Sequence, residues 1–293
     1  MNVGKNGFAN RFFFIYKRWI AKAACPHTHR IIILLCGSHL IYVLIFAILF
    51  QVWYGQDNIT TFHWFDDRAE WLLMDKFGHF YVSYLSCSIF YSLWLWAGLN
   101  KNTSLIFAAF MAIEYQCGYE IADGFYAGYG ASAYDICANI AGALAYVIQI
   151  LLFNKILAGI KFSFYPSSFH AMRPELLGHN LLQQLIKDYN GQTYWFAIHN
   201  PFITNKILPS WLMPCIGIGA EGLLGGHDNV GAGQGFAHIA RCRKIIFSFD
   251  ICVDAITNKT IKNALWIFRY IKVPMPAVVI NFCTGIKLHY IYL

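Results

Sequence analysis

The sequence predicts an α-helical membrane bundle of about four spans, three of them sharing a polar motif, followed by a small α+β, mainly antiparallel β region. Three observations carry this. Of 293 residues, 58% are hydrophobic, 18% aromatic and only 13% charged, and the mean hydropathy of +0.45 lies outside the soluble average. Four apolar runs before residue 154 are each long enough to cross about 30 Å of hydrocarbon. From about Lys161 the texture changes to short runs of period-two alternation, the pattern of strands. The expected division is a basic cytoplasmic tail at 1–30, a signal anchor at 31–54, a helical membrane domain at 55–160 and a β-rich domain at 161–293.

The tail holds Lys5, Arg11, Lys17, Arg18, Lys22 and Arg30, and there is no Asp or Glu from Met1 to Gln56. A basic stretch running into an apolar one marks a cytoplasmic N-terminus by the positive-inside rule. Nucleic acid is excluded as a partner, since no recognition motif accompanies the charge. The net charge of +7 is directed at a membrane surface instead. Nine cysteines occur singly, from Cys25 to Cys283, and neither a disulfide framework nor a zinc site can be read from them.

Span one is Ile31 to Tyr54, with His39 and Gln51 its most polar members. "DNITTFHWFDDRAEWLL" follows, carrying Asp57, Asp66, Asp67 and Glu70 beside Trp64 and Trp71; it is expected as a short amphipathic helix on the outer face. Span two is Phe77 to Leu99, span three Thr103 to about Asp123, and span four Ala133 to about Phe153.

Counting crossings from an inside N-terminus places Asp75 and His79, Glu120 and Asp123, and Asp135 and Asn139 on one outward face of the bundle. Helical phase supports this, because residues four or seven apart share a face. Asp75, His79 and Ser86 form one stripe; Gln116, Glu120 and Asp123 a second; Asp135, Asn139, Gly142, Tyr146 and Gln149 a third. Ionisable groups at such depth cost a few kcal/mol unless paired or hydrated, so the stripes should face one another or water. Lys76 is expected to snorkel to headgroups, and Glu114, off the shared face, to pair with His39 or Gln51 of span one.

Three classes of function fit this pocket. In the first it binds or acts on a lipid or lipid-linked headgroup. His79 is then the acid or base, oriented by Asp75 or Asp135, with Glu120 and Asp123 perturbing each other. In the second, His79, Glu120 and Asp135 hold a divalent metal, the one cofactor the sequence suggests. In the third the cluster only glues three helices in a structural or assembly protein of the envelope, with a further envelope protein as partner. The residues leave open whether the chain is an enzyme. The expected location is a bacterial cell-envelope membrane, the inner one by preference, with the outer membrane or periplasmic side as the alternative.

The series D-K-x-x-H at Asp75, Lys76 and His79, then Glu120, then D-x-x-x-N with A-G at Asp135, Asn139, Ala141 and Gly142 resembles the VanZ-like membrane proteins. Asp123 stands where that pattern has a glutamine, and "YAGYGAS" where it has an arginine. A more specific resemblance, over about Asp66 to the C-terminus, is to the YfiM-like family, domain of unknown function 2279. It rests on "EWLLMDKFGHFYVSY", "YEIADGFYAGYGASAYDICAN", "KFSFYPS", "RPELLG", "KDYNGQTYW" and "KVPMPAVVIN". That resemblance implies a periplasmic lipoprotein without an assigned activity. Cys25 in "AKAAC" follows a basic stretch, and "ILLC" at Cys36 lacks small residues before the cysteine.

In the second half, "KFSFY", "TYWFAIH", "CIGIGA", "KIIFSFDICV", "AVVINF" and "IKLHYIYL" predict strands. A helix from Pro174 to about Asp188 is predicted to interrupt them, and "NFCTGIK" to close a hairpin. A small antiparallel sheet resting on the membrane is the first reading; a β-structure inserted in an outer membrane is the second. Gly217, Gly219 and Gly222 spell G-x-G-x-x-G, but no helix follows to hold a pyrophosphate. Gly231, Gly233 and Gly235 lack the P-loop lysine and serine, and no H-E-x-x-H or G-x-S-x-G motif occurs.

Overall fold

The structure, a computed structural model, describes residues 27–54, 58–199, 208–229 and 235–293. The tail's Lys5, Arg11, Lys17, Arg18 and Lys22, with Cys25, Asp57, Gly231 and Gly233, lie outside the described residues.

Four long helices form the first half: α1 (Thr28–Trp53), α2 (Met74–Trp96), α3 (Lys101–Asp123) and α4 (Ala133–Phe153). Two of them, α1 and α4, are long and apolar enough to cross a membrane. The chain starts α3 by letting the Asn100 side chain accept from Thr103 N, and α4 by letting Ser132 accept from Tyr134 N and Asp135 N. Such caps satisfy amides that a helix start leaves without partners.

The central element is α2, which packs on α3 and α4 on one side and on the sheet on the other. Small residues permit both approaches. A Cβ on Gly142 would lie 2.1 Å from the Phe80 carbonyl oxygen, so glycine lets α4 touch the α2 backbone there. A Cβ on Gly78 would lie 3.0 Å from the Tyr194 hydroxyl, so a side chain of the sheet reaches α2 on the other face. Helix α1 stands at the periphery, stacking Tyr42 on Tyr115 and Phe46 on Tyr119 of α3.

The segment before α2 corrects one expectation. Residues 58–65 are extended rather than helical and pair with the α3–α4 loop through Thr60 N to Phe125 O, His63 N to Gly124 O and Phe65 N to Ala131 O. A single 3₁₀ turn, Glu70–Leu73, follows. The loop backbone offers these amides partners that a lone interfacial helix would have to find within itself. Trp71, Leu72 and Leu73 all adopt left-handed φ values of 49°, 52° and 68°, a costly run for side chains of this size. It is held by Trp71 N donating to Gly226 O at 2.8 Å.

Six antiparallel strands follow in sequence order: β1 (Ala158–Phe164), β2 (Gln192–Ile198), β3 (Leu212–Glu221), β4 (Cys242–Ile251), β5 (Met275–Asn281) and β6 (Gly285–Tyr292). Each falls where alternation predicts it, and residues 282–284 turn β5 into β6. Gln149 pins the entry to β1 by accepting from Leu157 N and Ala158 N. The sheet curls until β1 meets the chain ahead of β5, Phe162 bridging Ile271. Its inward residues make a second core around Trp195, Met213 and Ile246. Trp195 lies over Gly217, so two of the three G-x-G-x-x-G glycines sit inside strand β3 rather than in a phosphate loop.

Two further expectations are corrected. The helix expected from Pro174 to Asp188 is two short helices, α5 (Pro174–Leu177) and α6 (Leu181–Lys187). The break falls at Gly178, whose φ of 106° admits little but glycine. Cysteines that carried no readable framework include one bonded pair, Cys242–Cys283, joining the start of β4 to the β5–β6 turn.

Candidate functional site

At the end of the helices formed by the start of α2, the end of α3 and the start of α4, the three predicted stripes meet. His79 occupies the centre. Its Nε2 lies 3.7 Å from Asp75 Oδ1, 3.5 Å from Glu120 Oε1 and 3.8 Å from Asp135 Oδ1. Its Nδ1 lies 3.2 Å from Asn139 Oδ1, which accepts the Nδ1 proton and turns Nε2 toward the carboxylates. The order of these contacts follows from helix geometry: Asp75 and His79 are one turn apart on α2, and Asp135 and Asn139 one turn apart on α4. Ser83 Oγ, one turn further along α2, donates to Asn139 O at 2.6 Å and locks the two helices in phase.

Asp123 stands at the edge of the cluster rather than in it, accepting a short hydrogen bond from Tyr54 Oη. Glu120 is 1% exposed; its Oε2 accepts from Ser132 N at 3.2 Å, while its Oε1 has no hydrogen-bond donor.

Four residues complete the site that the helical stripes do not contain. Lys76 does not snorkel: it is half-buried, and its ammonium pairs with Asp67, with Asp75 at 3.0 Å and with Asp135 at 2.8 Å. Three carboxylates within reach outweigh the headgroup region as a destination. Asp67 comes from the segment before α2 and accepts from Ser132 Oγ at 2.6 Å, so the N-cap of α4 also ties down the covering segment. Burial raises the Asp67 carboxyl, but hydrogen bonds from Asp135, Lys76 and Ser132 more than offset it and hold it below its ordinary value. Tyr189, from the loop ahead of β2, donates to Asp75 Oδ1 at 2.7 Å. Burial, and then the charge of Asp75, push the Tyr189 phenol well above its ordinary value and keep it a donor.

Glu114 is exposed on α3. Of the two expected partners, Gln51 is exposed on α1 and His39 is bonded to Leu35 O and to Tyr115 Oη.

The whole site therefore sets five carboxyl groups, of Asp67, Asp75, Glu120, Asp123 and Asp135, against one ammonium and one imidazole. A surplus of negative charge at this depth calls for protons or a positively polarised ligand. Beside it lies an apolar cavity of about 300 Å³ lined by Leu73, Lys76, Phe77, Phe80, Ala138 and Phe196. Lys76 forms part of its wall and of the cluster alike.

The family model described as "Predicted periplasmic lipoprotein (DUF2279)" matches residues 63–151, the stretch from the covering segment through α4 that supplies every site residue except Tyr54 and Tyr189. No curated protein matches the chain, and no solved structure does.

Proposed function

We propose that this is a bacterial envelope membrane protein, its four long helices crossing the inner membrane, whose pocket takes the polar headgroup of a lipid or lipid-linked amphiphile. The observation that carries the reading is the apolar cavity opening beside Lys76 and the His79 cluster: an acyl chain fits among Phe77, Phe80 and Phe196 while its headgroup meets the acids. The surplus of carboxyl groups favours a headgroup that supplies donors, an ammonium or hydroxyls, over one that brings only phosphate oxygens. Where the headgroup is acted on, His79 is the proton carrier, since Asn139 fixes its ring and three carboxyl oxygens face its Nε2. The likeness of the D-K-x-x-H and D-x-x-x-N series to the VanZ-like proteins supports the same region as the working one.

The disulfide supports an outward-facing pocket. Cys242 lies next to Arg241, which donates to Gly225 O and Gly226 O, and Gly226 O accepts from Trp71; the bond thus sits at the pocket's end of the molecule. Disulfides persist in oxidising compartments such as the periplasm.

A diazirine-tailed phosphatidylethanolamine in vesicles tests the reading. Expected are photoadducts on the stretch 73–80 and at Ala138, fewer with a phosphatidylglycerol probe, and their loss in Lys76→Met. Adducts spread evenly over the helices, unchanged in the variant, would contradict it and leave the cluster a helix-packing device.

A divalent metal is the second reading, favoured by one specific geometry. Donor atoms of Asp75, His79 and Asp135 lie within 4.8 Å of one another, close enough for one ion to bridge at ordinary ligand distances. Glu120 Oε1 lies 3.5 Å from the same imidazole nitrogen. Of the expected trio His79, Glu120 and Asp135, the geometry substitutes Asp75 for Glu120. Elemental analysis of purified protein decides it: a stoichiometric ion lost in Asp135→Asn supports a metal site, and none in either protein removes it.

A further inference from the structure

The sheet is apolar on its outer face and holds charge within its inner core, beside Trp195, Met213 and Ile246. Its inward residues include a fully buried Lys161–Asp250 ion pair at 2.8 Å, Ser163 accepting from Trp195 Nε1 and Lys272 over the Trp195 ring. Its outward residues are apolar. Phe196, Ile216, Phe247, Val278 and Leu288 are successive cross-strand partners from β2 to β6, and exposure in that row reaches 43% at Phe247 and 79% at Leu288. An outer face this apolar, with the polar side chains held inside, suits contact with lipid rather than water.

The sheet also stands beside the helices, not beyond their end. Tyr194 meets Gly78 near the start of α2, and Tyr270 bonds Ser88 ten residues further on, about 15 Å of helix rise. The outward apolar residues of β4 run from Ile245 to Ile251, about 20 Å of strand, and Arg243 ends them at the pocket's end. At the opposite end Lys262 and Arg269 bond Asp254, and Asp254 and Lys155, which follows α4, both act on His199. Basic residues thus close sheet and helix at one level. Ile41 of α1, Phe110 of α3 and Leu144 of α4 are exposed as well, so large apolar side chains face outward on the helices as on the sheet.

From this we infer that the outward face of β3–β6, beyond the part of β2 that packs on α2, contacts the acyl chains of a lipid bilayer, so that sheet and helices share one hydrocarbon layer. This rests on the reading of the helices as membrane-spanning, and the test separates the two. Nitroxide labels are placed singly at Ile216→Cys, Phe247→Cys, Leu288→Cys and, on α4, Leu144→Cys, in full-length protein in liposomes with Cys25, Cys36, Cys117 and Cys137 changed to serine. The expected result is that all four collide more with oxygen than with an aqueous nickel chelate. Sheet labels favouring nickel while Leu144→Cys favours oxygen would overturn the inference and spare the helices. If all four favour nickel, both fail. Spin–spin broadening at Leu288→Cys that vanishes on dilution with unlabelled protein would show a second copy covering β6, and would overturn it too.

Discussion

Two groups of buried charge lie on opposite sides of the β1–β2 layer, and they are built on different principles. Inside the sheet, Lys161 meets Asp250 at 2.8 Å and also donates to Ile251 O and Phe268 O, and the buried Lys272 acts on the same carboxylate. Among the helices, Lys76 and His79 face a surplus of acids, and Glu120 Oε1 and Asn139 Nδ2 are left without hydrogen-bond partners. A carboxylate matched by buried cations holds a fold; a cluster with acids in excess is poised for something to arrive.

Breaking the Lys161–Asp250 pair should have the largest effect on stability. Lys161→Met strands a carboxylate in the sheet interior and is expected to cost about 3–5 kcal/mol, read by chemical denaturation in detergent. Lys161→Met with Asp250→Leu should recover most of that loss. If the single variant is near neutral, the pair is not isolated from water and the contrast with the helical cluster weakens.

Next comes the contact that brings the stripes together. Gly142→Ala places a methyl against the Phe80 backbone and is expected to cost about 1–3 kcal/mol by overpacking. It should also loosen the His79–Asn139 hydrogen bond, visible as a changed imidazole nitrogen NMR shift. An unchanged shift would mean that the site does not depend on how closely α2 and α4 approach.

The smallest expected effect lies at the rim. Burial pushes the Glu70 carboxyl above its ordinary value of 4.5, and His227 partly opposes this. Since the folded state holds that proton more tightly than the unfolded one, the contribution to stability is full below the ordinary value and disappears as pH rises through the folded one. Glu70→Gln should therefore flatten the pH dependence of stability above pH 4.5. Parallel profiles for the two proteins would place Glu70 in water.

The helical half of the site was legible because period 3.6 converts spacing into faces: Asp75 with His79, and Asp135 with Asn139, could be grouped before any coordinates. Asp67 and Lys76 were not, since a charged residue near an interface satisfies itself equally well with water, headgroups or a partner, and only tertiary contact decides. Tyr189 enters from 114 positions beyond Asp75, a distance no local pattern encodes. In the sheet, period two located every strand and showed which residues share a face. It does not say which face is inside, so the apolar outer face emerged only once Lys161 and Asp250 were seen facing each other within the core. The Cys242–Cys283 pair was equally hidden, because single cysteines carry no pairing information.

The central claim is that the acid-rich helical cluster receives an amphiphile and the Lys161–Asp250 pair does not. Native mass spectrometry of detergent-released wild type, His79→Gln and the Lys161→Met, Asp250→Leu double variant tests it most directly. A bound lipid present in wild type and the double variant but absent from a folded His79→Gln is the predicted result; a lipid retained by His79→Gln, or none in wild type, would contradict it.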